Sequence, residues 1–121
     1  MIGFLFDENL PGWWLRAVLQ REPQLRLWEV GDGYAPPKQS VDPVLLHWCE
    51  LNDVALLTDN RTSMPIHLAD HVAARRHVPG IFTVSPKESL IILATSLVYV
   101  VGASLPDEFR DQISYLPRIV L

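Results

Sequence analysis

Cysteine is almost missing from this sequence, which contains Cys49 alone, so an intramolecular disulfide and a zinc site built from several cysteines are both excluded. A reducing compartment suits such a chain, and we expect it to be cytoplasmic. Long hydrophobic runs are also lacking. The longest apolar stretch, residues 90–103, is shorter than the ~20 residues of a membrane-spanning helix, and the first residues lack the basic region of a signal peptide. We therefore expect no membrane partner.

Positive charge is scarce as well. Ten Lys and Arg residues against 14 Asp and Glu residues give a formal net charge of −4. The chain as a whole therefore does not attract nucleic acid, and a local patch would have to hold such a partner. Hydrophobic residues make up 49% and charged residues 20%, the balance of a folded globular protein. A length of 121 residues suits one domain, which we place at residues 1–121.

Hydrophobic patterning alternates between strand-like and helix-like segments. It predicts strands at 2–6, 25–30, 54–57 and 81–84. It predicts three helices in the first part of the chain, from Asn9 and Pro11 to Pro23, over 42–52 and over 66–77. A long helix follows from Pro86 through the apolar stretch. A last, short helix starts at Ser104 and Pro106 and bears Phe109 and Ile113. Strands that alternate with helices predict an α/β fold of three layers, with a parallel sheet of about four strands flanked by helices.

Acidic residues follow two of these predicted strands. Asp7 and Glu8 end the first strand, Asp59 ends the third, and Asp42 begins a helix whose N-terminus could lie on the same side. Ligands of a parallel sheet bind outside the carboxyl ends of its strands. Carboxylates that converge there repel one another unless a cation neutralises them, and hard oxygen ligands favour Mg²⁺ or Mn²⁺. The sequence thus predicts a metal site suited to phosphodiester hydrolysis.

Each of these acids also has a structural interpretation. Asp42 directly precedes Pro43, which is ordinary chemistry for the start of a helix. Asp7 could simply cap the next turn, Asp59 followed by Asn60 is good turn chemistry, and Glu8 could point to solvent. Both interpretations stay open for Asp42, whereas the strand-end positions of Asp7 and Asp59 favour function.

Histidine and arginine residues supply two further features. His67 and His71 are four residues apart and share a helix face, but they lack the Glu of the His-Glu-x-x-His motif, so we assign no metal to them. Arg61 lies two residues beyond Asp59 and could reach a phosphate bound at the acidic site.

Four stretches of the chain resemble a family of small prokaryotic PIN-like proteins of unknown function. They are FLFDENLP at 4–11, ALLTDNRTSMP at 55–65, HLADHVAARRHVPGIFTV at 67–84 and ISYLP at 113–117. The resemblance implies a trimmed PIN fold. PIN domains are typically Mg²⁺- or Mn²⁺-dependent ribonucleases with three or four acidic ligands, and many are toxins of type II toxin–antitoxin pairs.

Carried onto this chain, the resemblance implies that Asp7, Asp42 and Asp59 are catalytic metal ligands. Glu8 and Asn60 would support the metal, and Arg61 would contact phosphate. Many relatives carry Asp-x-Asp-Phe after the third strand, whereas this chain has Asp59-Asn60-Arg61. An Asn ligates through its carbonyl without adding negative charge. The implied partners are RNA, an antitoxin protein and a second copy of the chain.

Two hypotheses from other functional classes remain beside the ribonuclease. A phospho-receiver domain has an acidic pair after its first strand and a phosphorylated Asp after its third, which Asp7-Glu8 and Asp59 resemble. It places its later Thr and Lys after two different strands, whereas Thr83 and Lys87 are four residues apart. The second hypothesis is a catalytically silent PIN-like binding module, favoured by the acidic pI of about 5.4 and by Asn60.

Overall fold

The structure, a computed structural model, describes residues 2–103 and 105–117. Its elements along the chain are β1 (Gly3–Phe6), α1 (Trp14–Arg21), β2 (Leu27–Glu29), α2 (Asp42–Asn52), β3 (Val54–Thr58), α3 (Met64–Ala73), β4 (Ile81–Thr83), α4 (Leu90–Ala103) and β5 (Ile113–Tyr115). All strand pairs are parallel, and the strand order across the sheet is β2-β1-β3-β4-β5. The predicted three-layer α/β fold is confirmed, and the described residues form five strands rather than about four.

Each face of the sheet is covered by two helices, because the central strands are apolar on both sides. Every residue of β1 and β3 is buried. On one face, Phe6 and Leu57 pack with α1 and α4 in a core that also includes Trp14. On the other face, Leu5 and Leu56 pack against α2 and the start of α3. Among the helices in the described ranges, none combines the length and apolarity that crossing a bilayer requires.

Two helices begin later than the sequence predicts. Asn9 and Pro11 do not open α1; residues 8–13 form turns, and the backbone N–H of Trp14 closes one of them on the carbonyl of Pro11. Gly12, a poor helix former, lies inside this segment. Pro86 likewise does not open α4. The hydroxyl and carbonyl of Ser85 accept bonds from two following backbone N–H groups and close a separate turn before the helix begins at Leu90.

The end of the chain differs most from prediction. The prediction of a short helix bearing Phe109 and Ile113 is wrong. Residues 106–111 form turns, and residues 113–115 form the edge strand β5. Asp107 and Asp111 adopt left-handed φ values of 63° and 57°, which interrupt a helix. Ser104, the predicted start, lies outside the described residues. Helix α3 also runs earlier than expected, and Arg75, at a φ of 62°, prevents its continuation.

Candidate functional site

Asp7 lies at the carboxyl edge of the sheet, directly after β1. Its backbone N–H donates to the carbonyl of Leu57, which continues the β1–β3 pairing by one residue and sets Asp7 beside Thr58. Paired residues of parallel strands point to the same face. The side chains accordingly meet: the Thr58 hydroxyl donates to Asp7 Oδ2 over 2.8 Å. Because side chains alternate along a strand and Leu5 packs against α2, Asp7 also faces the layer of α2 and α3.

The surroundings of Asp7 disfavour the charged form of its carboxyl group. The side chain is buried, with 7% of its surface exposed. Burial raises the pKa of Asp7 above its ordinary value of 3.8, and the negative charges of Asp42 and Asp59 raise it further. Hydrogen bonds from Thr58 and from the backbone of Glu8 oppose that rise by favouring the charged form. The carboxylates of Asp42 and Asp59 therefore repel the charged form of Asp7 at this edge.

Asp42, the first residue of α2, is held by the loop that follows β3. The Asn60 side-chain amide donates to Asp42 Oδ2 over 2.7 Å and to Ser63 Oγ over 2.8 Å. The side-chain Oδ1 of Asn60 accepts the backbone N–H of Ser63 over 3.2 Å, just before the start of α3. His67 Nε2 lies 3.5 Å from the same Asp42 oxygen. The Asn60 side chain thus holds Asp42 and the start of α3 in one hydrogen-bond network. Its side-chain oxygen is used by the backbone of Ser63.

The remaining predicted residues surround this centre. Asp59 is half-buried after β3, and its charge acts on Asp7. Glu8 is exposed, and its Oε1 accepts the backbone N–H of Gln39 over 2.5 Å, which fastens the β2–α2 loop. Arg61 is exposed, and its guanidinium carbon lies 4.6 Å from the ring centroid of Tyr115, the last residue of β5. The negative charges of Asp42 and Asp59 act on Asp7, whereas Glu8 binds the β2–α2 loop.

His71, one helical turn from His67, belongs to a different cluster at the amino edge of the sheet. His71 Nε2 lies 2.8 Å from Glu50 Oε1, which joins the C-terminal part of α3 to that of α2. Glu50 Oε1 also accepts the backbone N–H of His77, and His77 Nδ1 lies 2.7 Å from Asp111 Oδ2. His67 and His71 share a face of α3 but contact acids at different ends of α2. His67 lies near Asp42, the first residue of α2, and His71 lies near Glu50, in its C-terminal part.

The donor chemistry at Asp7 fits a hard divalent cation. In the described ranges, no group of three or more His, Cys, Asp or Glu side chains lies close enough together to hold a metal ion. Mg²⁺ is usually bound through one or two carboxylates, with waters and substrate phosphates completing its shell. Asp7, a buried carboxylate with two anionic neighbours, matches that requirement, because a cation would relieve the repulsion that raises its pKa.

Two residues of the site were not predicted from the sequence. Thr58 is the hydrogen-bond donor to Asp7, and its position as the last residue of an apolar strand was the available signal. The sequence distinguishes His67 only by its spacing from His71. Its contact with Asp42 depends on how α2 and α3 pack, which no local pattern reveals.

Comparison with known proteins leaves the chain without a match: no family model, no curated protein and no solved structure corresponds to it. The PIN-like resemblance of the four sequence stretches therefore stays a prediction.

Proposed function

We propose that this protein is a cytoplasmic Mg²⁺- or Mn²⁺-dependent ribonuclease of the PIN-like type, acting as the toxin of a type II toxin–antitoxin pair. The observation that carries the proposal is the buried carboxylate of Asp7, whose pKa is raised by burial and by the charges of Asp42 and Asp59. A fold gains nothing in stability from bringing like charges together, so such a group indicates a functional site. The resemblance to PIN-like proteins supplies RNA as the substrate and an antitoxin protein as the partner.

Asp7 is the residue that would hold the cation directly, with waters and substrate phosphates completing the shell, and the negative charges of Asp42 and Asp59 would add to the attraction for it. When bound, the cation would supply activation of water and neutralisation of charge on the leaving oxygen of a phosphodiester. The Thr58 hydroxyl orients Asp7 and favours its charged form, since it donates to the carboxylate. Asn60 holds Asp42 in place, and Arg61 presents a permanent positive charge two residues after Asp59. Glu8 contributes by fixing the β2–α2 loop at the rim.

RNA cleavage by purified protein tests the proposal. Single-stranded RNA should be cleaved in Mn²⁺ or Mg²⁺ and left intact in EDTA, and Asp7→Asn should abolish cleavage. Asp107→Asn is the matched control, because Asp107 is exposed, lies in the α4–β5 connection at the opposite edge, and loses the same charge. Cleavage that survives Asp7→Asn, or that needs no metal, would sink the proposal.

Cation binding gives a second, activity-independent measurement. A ligand at ten times its Kd stabilises the folded state by ~1.4 kcal/mol, so Mn²⁺ should raise the melting temperature of the wild-type chain by several degrees. Asp7→Asn should lose that shift and Asp107→Asn should keep it. If calorimetric titration of the wild-type chain with Mn²⁺ shows no binding, the catalytically silent binding module becomes the favoured function.

A phospho-receiver domain is the second candidate, because the strand order β2-β1-β3-β4-β5 is one that such domains share with flavodoxin-like proteins. Against it, Thr83 ends β4 and Lys87 follows the same strand, and no lysine occurs after Lys87 in the sequence. Treatment with acetyl phosphate discriminates between the two functions. A receiver forms an aspartyl phosphate at Asp59, and the ribonuclease does not.

A further inference from the structure

One row of paired residues crosses the sheet from the candidate site to its far edge. Asp7 stands beside Thr58, Thr58 pairs with Thr83, and Thr83 pairs with Tyr115. Members of such a row point to the same face of a parallel sheet. Three strand spacings put Tyr115 ~14 Å from Asp7 across the sheet. Tyr115 therefore lies on the same face and at the same edge as the acidic residues.

The backbone around Tyr115 is fixed by hydrogen bonds, whereas its ring is partly exposed to solvent. The backbone N–H of Leu116 donates to the carbonyl of Thr83 over 2.8 Å, which secures the end of β5. The Tyr115 side chain remains 47% exposed although the guanidinium of Arg61 lies over its ring at 4.6 Å. An aromatic ring with a guanidinium over it provides two planar groups and a positive charge.

The chemistry of this pair matches single-stranded nucleic acid. Bases stack on aromatic side chains irrespective of sequence, and arginine adds both stacking and a contact for phosphate. With a net charge of −4, the chain has no general attraction for a polyanion, so stacking has to supply a large share of the affinity. Duplex bases are already stacked on each other and are hidden from such a surface.

We propose that Tyr115 and Arg61 form a base-stacking platform that positions single-stranded RNA across the carboxyl edge toward Asp7. The platform rests on the proposed ribonuclease function, for which it acts as a positioning element rather than as a catalytic one. It predicts that binding and cleavage respond to different residues. Tyr115 governs binding of the strand, whereas Asp7 governs cleavage.

Fluorescence anisotropy with a labelled single-stranded RNA of about 12 nucleotides, a length within the usual site sizes, tests the platform. The full chain is titrated in EDTA at low salt, so that no cleavage occurs. Tyr115→Leu should weaken binding by about 5- to 100-fold, the range of one lost base stack, and Tyr115→Phe should bind like wild type. Tyr99→Leu is the matched control, because Tyr99 is 41% exposed on α4, on the other face of the sheet.

Arg61→Lys separates stacking from charge. Lysine keeps the positive charge but has no planar group, so binding should weaken while its dependence on salt concentration stays unchanged. Circular dichroism and melting temperatures establish that each variant is folded. Since the Tyr115→Phe and Arg61→Lys variants keep the size or the charge of the native side chain, they remain informative should Tyr115→Leu fail to fold.

The outcomes separate the platform from the nuclease. Wild-type protein that binds no single strand up to about 100 µM, the weak end of non-specific binding, overturns the platform. Equal affinity of Tyr115→Leu and wild type does the same, even if Asp7-dependent cleavage is observed and the nuclease proposal stands. Single-strand binding that depends on Tyr115, found in a chain that cleaves nothing in Mn²⁺, supports the platform and refutes the nuclease. Preference for duplex over single strand refutes stacking as the mode of binding.

Discussion

Replacing Thr58 with valine removes the hydroxyl that connects Asp7 to the β3–α3 loop. This hydroxyl donates to Asp7 Oδ2 over 2.8 Å and accepts the backbone N–H of Asn60 over 3.1 Å. A bond to a charged acceptor contributes ~1.5–3 kcal/mol and a neutral one ~0.5–1.5 kcal/mol, so Thr58→Val should lower the free energy of unfolding by about 2–4 kcal/mol. With an m-value of about 2 kcal/mol/M, the midpoint of urea unfolding falls by about 1–2 M.

Thr83→Val is the control for Thr58→Val. Thr83 pairs with Thr58 in the sheet and is similarly buried, and its side chain has no hydrogen bond within residues 2–103 and 105–117. We expect this substitution to change the free energy of unfolding by less than about 1 kcal/mol. Thr58→Ser, which keeps the hydroxyl, should recover most of the loss caused by valine.

The pH dependence gives a sharper test of Thr58→Val. The Thr58 bond favours the charged form of Asp7, so its contribution is present above the folded pKa of Asp7 and declines as the pH falls through it. Since burial and the neighbouring acids raise that pKa above its ordinary value of 3.8, the charged form of Asp7 is less populated in the folded protein at pH 3.8 than at pH 7. The cost of Thr58→Val should be smaller there than at pH 7. A cost that is equal at both pH values, or no larger than that of Thr83→Val, refutes this account.

Three further predictions concern other parts of the fold. Despite its partial burial, the pKa of Asp111 is held below 3.8 by its hydrogen bonds, so Asp111→Asn should lower the free energy of unfolding by about 1–2 kcal/mol at pH 7, and urea titrations should show the difference fading as the pH falls below 3.8. Burial raises the pKa of the Cys49 thiol and hides it completely, so a thiol reagent should label the native protein at least about 10³-fold more slowly than the urea-unfolded chain. A Cβ at Gly3 would lie 2.7 Å from the Trp28 ring, so Gly3→Ala should cost about 1–3 kcal/mol in thermal unfolding, whereas Gly12→Ala, which meets nothing within 4 Å, should cost less than about 0.5 kcal/mol.

Strands β1 and β3, at the centre of the sheet, could be predicted from the sequence because short, wholly apolar runs between polar turns are typical of buried strands. Residues 2–6 and 54–57 are short and wholly apolar, which requires burial on both faces. The edge strand β5 could not be predicted in this way. It has only three residues, and Phe109 and Ile113 are spaced as on a helix, while the left-handed turns at Asp107 and Asp111 leave no mark that distinguishes them from polar helix residues.

For the candidate site, the sequence predicts which edge is occupied but not how its residues connect. Asp7 and Asp59 follow predicted strands, and topology alone sends them to one edge. The contact between Asn60 and Asp42 joins residues 18 positions apart, and it exists only because α2 and α3 pack side by side. Long-range contacts of this kind are properties of the folded state, and for this reason the role of His67 was also missed.

The bond between His71 and Glu50 has a consequence for how this protein can change over evolution. It joins α2 and α3 at their C-terminal parts, while the acidic site occupies their N-terminal ends. Substitutions around Asp42 and Asn60 therefore alter one end of a helix pair whose other end is secured independently. Replacement of the acids at the N-terminal ends therefore leaves the connection between the C-terminal parts of α2 and α3 in place.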